Sequence, residues 1–259
     1  MRAYSEEIPD VTRYIENHKH ITLEDEEPGF ASLMWRLRRF VPIDSGTKIL
    51  EVGTGTGWFP IMCKQKGLQC KGLEISWQLV EYAKQFGARY GIEPDMALGN
   101  IEDYDIGRST YDVIIAASVF EHVQDWRAGI RKIYDALRPG GLFYFNSTNR
   151  FALISQEYHF PLYGWLPDAW RYRLRVWRQG EQIMRLGIDF NQFTYPELRR
   201  FFTGLGFSSV MDFTDILDPD RLHNPRLWKI ALLRALKRSG LLRHLALTFA
   251  PSTTFFCIK

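Results

Sequence analysis

Short apolar runs alternate with amphipathic segments through the middle of this chain. Five of the apolar runs have the length and composition of strands, at 48–52, 68–75, 96–98, 111–117 and 142–147. The run Tyr111–Ala117 is nearly continuous, as expected of a central parallel strand that is buried on both faces. Segments from Phe59, Trp77 and Trp126 carry apolar residues at helical spacing between these runs. The alternation predicts a doubly wound parallel sheet.

The alternation of predicted strands and helices is interrupted after Asn149 and resumes near residue 194. Residues 151–190 are rich in aromatic side chains and arginine, and they form an insert in the α/β pattern. Beyond it, Thr194 and Gly206 are placed to begin and end a helix. A strand over 208–213, a long helix after 225 and a last strand over 253–258 complete the chain.

The chain therefore divides into two predicted parts. Residues 1–45 are a polar, mostly helical lead-in, in which Phe30 to Val41 has an apolar stripe that ends at Pro42. Residues 46–259 form one α/β domain that contains the insert 151–190. At 259 residues and 46% hydrophobic, the chain can bury one sizeable core.

The cysteines and the N-terminus bear on the cellular setting. The three cysteines, Cys63, Cys70 and Cys257, are odd in number and lack Cys-x-x-Cys spacing, which indicates neither a disulfide framework nor a zinc site. Met1–Glu7 has no apolar signal core, and no apolar run reaches the ~18 residues of a membrane span. We therefore expect a reducing, cytoplasmic setting.

Charge is modest overall but unevenly distributed. The net charge is +3, yet no Asp or Glu occurs from Arg221 to Lys259. Within the predicted helix 226–247, Trp228 and Leu232 share an apolar face, and Arg234 and Lys237 lie on the other side. Such a basic amphipathic helix packs on its own domain, which is the preferred interpretation, or lies on an anionic membrane surface. In the second case the protein would be peripheral to the membrane.

A glycine loop follows the first predicted strand and carries the chemistry. Glycine occupies every second position at Gly53, Gly55 and Gly57, so a ligand can approach the backbone closely. The dinucleotide fingerprint needs a further glycine at position 58, where this chain has Trp58. Glu51, two residues before the first glycine, would repel a pyrophosphate but suits a ligand that carries an ammonium and a sulfonium.

These motifs resemble the class I S-adenosylmethionine-dependent methyltransferases. The resemblance rests on five stretches in order along the chain. They are the glycine loop, the acid Glu74 at the end of strand two, residues 100–103 after strand three, strand four with the segment that follows it (111–123), and the turn 137–141. It implies a Rossmann-like seven-stranded sheet with the last strand antiparallel, together with N-terminal helices and a helical lid. It also implies S-adenosylmethionine as cofactor and S-adenosylhomocysteine as product.

The resemblance assigns cofactor contacts residue by residue. The methionine part lies on the glycine loop, the ribose hydroxyls on Glu74, and the adenine on Ile75 and near Asn100, where the family more often has Asp. The full set of expected cofactor residues is Glu51, Gly53, Thr54, Gly55, Gly57, Glu74, Ile75, Asn100, Ile101, Glu102, Ala117 and Ser118.

Methyl transfer from a sulfonium mainly requires alignment of the reacting atoms and exclusion of water. A hydroxyl acceptor also benefits from a base, and His122 after the central strand is the best candidate. Its alternative is a structural role, in which it caps a helix or supports Asn149. Glu121 could orient His122 or bind a metal, although no metal site is predicted.

The acceptor is the open question. The stretch from Phe120 to Val123 and the stretch from Ser147 to Arg150 are similar to O-methyltransferases of ubiquinone biosynthesis, and they favour a small organic acceptor with a hydroxyl. The insert 151–190 would be a lid over it. Its aromatic residues suit an apolar, aromatic or lipid-linked molecule, and its arginines could bind a phosphate or carboxylate. The expected substrate-binding residues are Asn149, Tyr158, His159 and Trp165.

Other classes of function stay open. The chain could bind S-adenosylmethionine without catalysing transfer, or it could methylate RNA or a sugar. RNA is not favoured, because the basic residues do not form one stripe and the motif Asn/Asp-Pro-Pro-Tyr is absent after strand four. The sequence does not indicate an oligomeric state.

Overall fold

A seven-stranded sheet forms the centre of the molecule. The structure, a computed structural model, describes residues 9–154, 160–179, 191–219 and 226–259. The strands are β1 (Lys48–Val52), β2 (Gln69–Glu74), β3 (Asp95–Leu98), β4 (Tyr111–Ala117), β5 (Leu137–Thr148), β6 (Ser209–Asp212) and β7 (Ser252–Ile258). Their order in the sheet is β3-β2-β1-β4-β5-β7-β6. Strands β1 to β5 run parallel, and β7 is antiparallel to both β5 and β6. The predicted fold class is confirmed.

Helices pack around this sheet. They are α1 (Pro9–His18), α2 (Leu23–Leu37), α3 (Trp58–Gln65), α4 (Trp77–Ala88), α5 (Trp126–Ala136), α6 (Asp168–Gln179), α7 (Tyr195–Leu205), α8 (Phe213–Ile216), α9 (Leu227–Arg238) and α10 (Gly240–Thr248). Short 3₁₀ turns form at Phe120–His122 and Tyr163–Trp165.

The core has two layers, one on each face of the sheet. Ile114 of β4 belongs to the cluster that includes α5 and α7, whereas Val113 and Ile115 belong to the cluster that includes α2 and α3. Successive side chains of a strand point to opposite faces. All three residues are fully buried, so the central strand is apolar because both of its faces are covered.

Caps determine where several helices begin. Thr194 accepts a hydrogen bond from the Glu197 N–H, and Gly206 ends α7 with a φ of 105°, as its sequence predicts. Helix α2 begins at Leu23, earlier than the apolar stripe indicates, because Thr22 and Asp25 form a reciprocal capping box.

The C-terminal basic segment differs from its prediction in two ways. The single helix expected over 226–247 is two helices, and Ser239 between them accepts a hydrogen bond from the Leu242 N–H and so caps α10. The preferred interpretation, that the apolar face packs on its own domain, is wrong. Leu233 is the one buried residue of α9, and α10 has none.

A buried carboxylate holds α10 in place. Asp212, at the end of β6, is fully buried and accepts hydrogen bonds from Arg243 Nε at 2.9 Å and from the Tyr195 hydroxyl at 2.8 Å. Arg243 also pairs with Asp215. Burial, together with the Asp212 carboxylate, raises the pKa of Tyr195 to about 12. The Asp212 carboxylate at the end of β6 thus links α7, through Tyr195, to α10, through Arg243.

The helices were also compared with the length of a membrane span. Among the described residues, no helix is long and apolar enough to cross a membrane.

Replacement of Asp212 tests whether this charge is structural. We expect Asp212→Ala to lower the free energy of unfolding by about 3–5 kcal/mol, because it removes the fully buried acceptor that Arg243, the Tyr195 hydroxyl and the Thr214 N–H share. Urea denaturation measures the change. The control is Glu81→Ala, whose exposed pair with Lys84 spans 4.0 Å and should contribute about 0.5 kcal/mol or less. Equal losses in both variants would contradict the assigned role.

Candidate active site

The glycine loop forms a tight turn directly after β1. Gly53, Gly55 and Gly57 have φ angles of 69°, 57° and 75°, in the left-handed region that favours glycine. The Gly53 N–H donates to the Leu73 carbonyl at 2.7 Å, which ties the loop to the end of β2. The alternating glycines are therefore required by backbone conformation.

Close packing also requires glycine at two of these positions. A methyl group on Gly53 would collide with the side chain of Val119, which lies just after β4. A methyl group on Gly57 would collide with Ala83 of α4. The loop is therefore enclosed between α4 and the segment that follows β4.

Two carboxylates lie under the loop. Glu51 and Glu74 are both buried, and Glu51 Oε2 has no hydrogen-bond partner among the described residues. Burial, with a smaller contribution from the Glu74 charge, raises the pKa of Glu51 well above its ordinary value. An uncompensated buried acid is costly, so this oxygen indicates a site for a cation or a donor.

Glu74 bridges the loop and the start of α4. Its Oε2 accepts from the Gly55 N–H at 2.9 Å, and its Oε1 accepts from the Ile75 N–H at 2.9 Å and the Ser76 N–H at 3.1 Å. Burial raises the pKa of Glu74, and these three hydrogen bonds oppose the rise. The carboxylate is thereby held at the end of β2, beside the loop.

The turn after β3 is organised by a pair of side chains. Asn100 Nδ2 donates to Glu102 Oε2 at 2.9 Å, and the Glu102 N–H donates to Asn100 Oδ1 at 3.1 Å. Glu102 Oε1 also accepts from the Asp125 N–H at 2.7 Å. Ile101 between them is buried in the core. The Asn100 amide is thus oriented by its neighbour.

The end of β4 is exposed and strained. Ala117 and Ser118 are exposed, and Ser118 has a φ of 55°, which is uncommon for a residue other than glycine. Its N–H donates to the Asn146 carbonyl of β5 at 2.9 Å. Strain of this kind persists where surrounding contacts impose it, and it is frequent at functional sites.

His122 and Glu121 lie on the 3₁₀ turn that follows Ser118. The His122 N–H donates to the Val119 carbonyl at 2.9 Å, so His122 is anchored to the residue that packs on Gly53. Glu121 is fully buried, and its Oε2 accepts from the Ser147 hydroxyl at 2.7 Å. His122 therefore follows Val119 by three residues on this turn, and the Glu121 carboxylate is buried beside Ser147. Within the described residues, no group of three or more His, Cys, Asp or Glu could hold a metal ion.

The expected substrate-binding residues have different outcomes. Asn149 Nδ2 donates to the carbonyls of Leu247, Thr248 and Ala250 at 3.2, 3.0 and 2.8 Å, at the C-terminal end of α10. Its amide hydrogens are engaged with these main-chain carbonyls, so Asn149 has a structural role, and its contact with substrate stays a prediction.

Trp165 packs against Phe249 of the segment after α10, with ring centroids 6.3 Å apart, and is 44% exposed. It therefore belongs to the outer surface of the domain. Tyr158 and His159 lie outside the described residues.

Helix α1 contributes a residue that sequence reasoning missed. The Tyr14 hydroxyl lies 3.6 Å from the position that a methyl group on Gly55 would occupy. Burial and the Glu74 charge raise the pKa of this phenol. Helix α1 reaches the loop because Gln78 Nε2 donates to Thr12 Oγ1 at 2.9 Å. The only signal in the sequence was an aromatic residue within a polar helix.

Fold and site together define a doubly wound α/β domain with a glycine loop after its first strand, an arrangement typical of nucleotide-type cofactor sites. A family model described as a methyltransferase domain matches residues 28–210. The chain belongs to this methyltransferase family.

Comparison with curated proteins gives a similar picture. A ubiquinone biosynthesis O-methyltransferase from Methylobacterium sp. (strain 4-46) is 29% identical over 129 residues, which are 48% of this chain and 51% of that protein. The chain thus spans about half the length of the curated relatives it matches.

Solved structures share the fold. Phosphoethanolamine N-methyltransferase 2 from Haemonchus contortus, in complex with phosphomonomethylethanolamine and S-adenosylhomocysteine, has a TM-score of 0.57 and 17% identity, over 89% of this chain and 52% of that one. An S-adenosylmethionine-dependent methyltransferase from Mesorhizobium loti has a TM-score of 0.54 and 17% identity, over 86% of this chain and 95% of that one.

S-adenosylmethionine is the cofactor, and the residues present fit it. Its positive charges suit the buried Glu51 oxygen, and its ribose hydroxyls suit a carboxylate at a strand end such as Glu74. The glycine loop leaves its backbone open on the side that α4 and Val119 do not cover.

Two glycines offer a matched test of the loop. Gly53→Ala should weaken cofactor binding by more than about tenfold, because the methyl group would displace Val119 or the loop. Gly67 has a similar φ of 73° but no atom near its methyl position. Gly67→Ala should cost about 1 kcal/mol of stability and leave affinity unchanged. Calorimetric titration with S-adenosylmethionine distinguishes them, and equal affinities would exclude the loop as the site.

The raised pKa of Glu51 predicts a pH dependence. Because this acid ionises at a higher pH in the folded protein than in the unfolded chain, it contributes stability below its ordinary pKa that is lost as pH rises. The cationic cofactor favours the ionised form, so affinity should increase as pH rises from 5 towards 8. The same titrations with Glu51→Gln measure the pH dependence that comes from the ligand itself, because this variant cannot ionise at position 51. If affinity changes with pH equally in the wild type and in Glu51→Gln, Glu51 does not contact the cofactor's positive charge.

Proposed function

We propose that this chain transfers the methyl group of S-adenosylmethionine to a hydroxyl oxygen of a small organic acceptor. The observation that carries the proposal is the contact between Val119 and Gly53. This contact joins the segment after β4 to the cofactor loop, and the turn that contains His122 begins one residue later. His122 is thus three residues from the one that meets the loop, and a base on this turn could serve an acceptor beside the cofactor.

Each part of the site has a separate task. When bound, the cofactor supplies a methyl group on a positively charged sulfur. Glu51 and Glu74 hold its charged and hydroxyl groups, and the glycine loop fixes its position. His122 accepts the proton that the acceptor hydroxyl loses, through an imidazole nitrogen. Glu121, buried and hydrogen-bonded to Ser147, supports the turn that carries His122.

The segment after β5 supplies the remaining wall of the acceptor site in this proposal. Of the insert 151–190, the described part includes α6, whose Arg171 and Arg175 are only 6% and 5% exposed. Arg171 Nη2 donates to Asp168 Oδ1 at 2.8 Å and lies over the Tyr163 ring. Arg171 therefore stabilises the lid from within, and recognition of the acceptor falls to the other lid residues.

The name of the curated relatives supports oxygen as the methylated atom. Ubiquinone biosynthesis O-methyltransferases match this chain at 27–29% identity. The similarity covers about half of this chain, so the acceptor is proposed as a hydroxyl compound and no more closely.

Competing acceptors are separated by one labelling experiment. The protein is incubated with S-adenosylmethionine labelled on the methyl group and either a cellular small-molecule extract or total RNA. Label in an organic-soluble product that hydriodic acid releases as volatile methyl iodide, and that mild base does not release as methanol, supports the proposal. Label confined to RNA, or no turnover with bound cofactor, would refute it in favour of RNA methylation or of cofactor binding without transfer.

Substitution of His122 tests its role as base. His122→Ala should leave cofactor affinity unchanged and slow turnover about 10²-fold or more. His122→Gln should be equally slow, because an amide retains hydrogen bonding but cannot accept the proton. Both rates are measured as S-adenosylhomocysteine release.

The matched control is His244→Ala on α10, which packs on Tyr195 away from the loop. Its turnover should equal that of the wild type. Recovery of the wild-type rate in His122→Gln would reduce His122 to a positioning residue, and loss of cofactor binding in His122→Ala would make it part of the cofactor site.

A further inference from the structure

Helix α10 is attached to the domain through its polar side. Arg243 Nη2 lies 2.6 Å from the buried Asp212 carboxylate, and Arg243 also pairs with Asp215. At the other end of α10, Asn149 donates to the last carbonyls of the helix. A surface helix usually faces the core with its apolar side and solvent with its charges. Here charged and amide groups form the attachment.

The apolar side of α10 consequently faces outward. Leu241 is 71% exposed, Leu242 and Leu245 are each 48% exposed, and Phe249 is 47% exposed. Leu247 is the residue of α10 that packs against the core. Exposed leucines in such number on a short helix indicate a partner.

This surface continues onto the segment after β5. The Phe249 ring stacks against Trp165 with centroids 6.3 Å apart, and the Trp165 N–H donates to the Leu162 carbonyl at 3.0 Å. Leu162 in turn donates to the Leu153 carbonyl at 2.8 Å. Leu153 and Leu162 are both exposed. We call Leu241, Leu242, Leu245, Phe249, Trp165 and Leu162 the apolar face.

Cations accompany the apolar face. Helix α9 packs against α10 and exposes Trp228 and Leu232. The same helix exposes five basic residues, Arg226, Lys229, Arg234, Lys237 and Arg238. Because 221–259 contains no acid, nothing within this sequence segment offsets their charge.

We propose that the α9–α10 hairpin and the apolar face bind the surface of an anionic lipid membrane. Exposed Leu, Trp and Phe side chains insert between head groups, and Lys and Arg pair with the phosphates, as in interfacial amphipathic helices. The polar anchors at Asp212 and Asn149 hold the apolar side outward without a conformational change. The charge argues for anionic lipid over a second copy of this chain, whose matching face would carry the same positive charge.

Helix α6 has the same reversed arrangement. Arg171 and Arg175 are buried, whereas Trp170 and Trp177 are 64% and 80% exposed. Tryptophan is the side chain that is enriched at membrane interfaces. The helix begins a few residues after Trp165, so its exposed tryptophans add further apolar surface next to the apolar face.

Vesicle sedimentation tests the proposal on the full chain without any methyl acceptor, so its outcome does not depend on the proposed reaction. The chain should pellet with vesicles of phosphatidylcholine and phosphatidylglycerol at low salt, and at least tenfold less with phosphatidylcholine alone. Lys237→Glu/Arg238→Glu should weaken binding by roughly fivefold or more per charge. Leu242→Glu/Leu245→Glu should abolish it.

Trp35→Glu is the matched control, because Trp35 is 53% exposed on α2, across the sheet from α10. It should bind vesicles like the wild type, and unchanged S-adenosylmethionine affinity in all variants shows that they fold. Failure to pellet with anionic vesicles, or equal loss in Trp35→Glu, would overturn the proposal. So would binding to single-stranded RNA but not to vesicles, or a dimer in sedimentation velocity that Leu242→Glu/Leu245→Glu dissociates.

Discussion

The site depends on the close approach between the glycine loop and the segment after β4. Strand order reverses between β1 and β4, so their carboxyl ends open a crevice where neither connection covers the sheet. Gly53 makes this crevice narrow enough for Val119 to pack on the loop. The Ser118 backbone and the turn at His122 lie on either side of Val119 along the chain, so they are next to this contact. A larger residue at position 53 would push the loop and Val119 apart.

Electrostatics explains why the crevice is specific. Two carboxylates under the loop would repel the phosphates that other α/β folds bind at this position. Glu74 is stabilised by three main-chain N–H groups, whereas Glu51 Oε2 is buried and has no hydrogen-bond partner among the described residues. A positively charged ligand would compensate this oxygen, which is the role that the proposed function gives to the cofactor.

Much of the fold could be predicted because strands and caps are local. Tyr111–Ala117 is continuous and apolar, and the structure bounds β4 at the same residues. The α2 capping box was overlooked because Thr22 and Asp25 precede the apolar stripe that marked the helix. The place of Tyr14 beside the loop and the structural role of Asn149 could not be predicted from sequence. The position of Tyr14 depends on how α1 docks on α4, and the role of Asn149 depends on a helix about 100 residues later, whose carbonyls it satisfies.

The reversed helices show the limit of periodicity as evidence. Periodicity reports that apolar side chains share a face, but it does not report which side of the helix the domain holds. In α10, Arg243 pairs with the buried Asp212 at the end of β6, and Asn149 holds the Leu247 and Thr248 carbonyls, while several leucines are exposed. A buried acid outside the helix thus reverses the usual orientation. Whether an apolar stripe in a basic helix faces the core therefore depends also on the buried acids with which the arginines of that helix can pair.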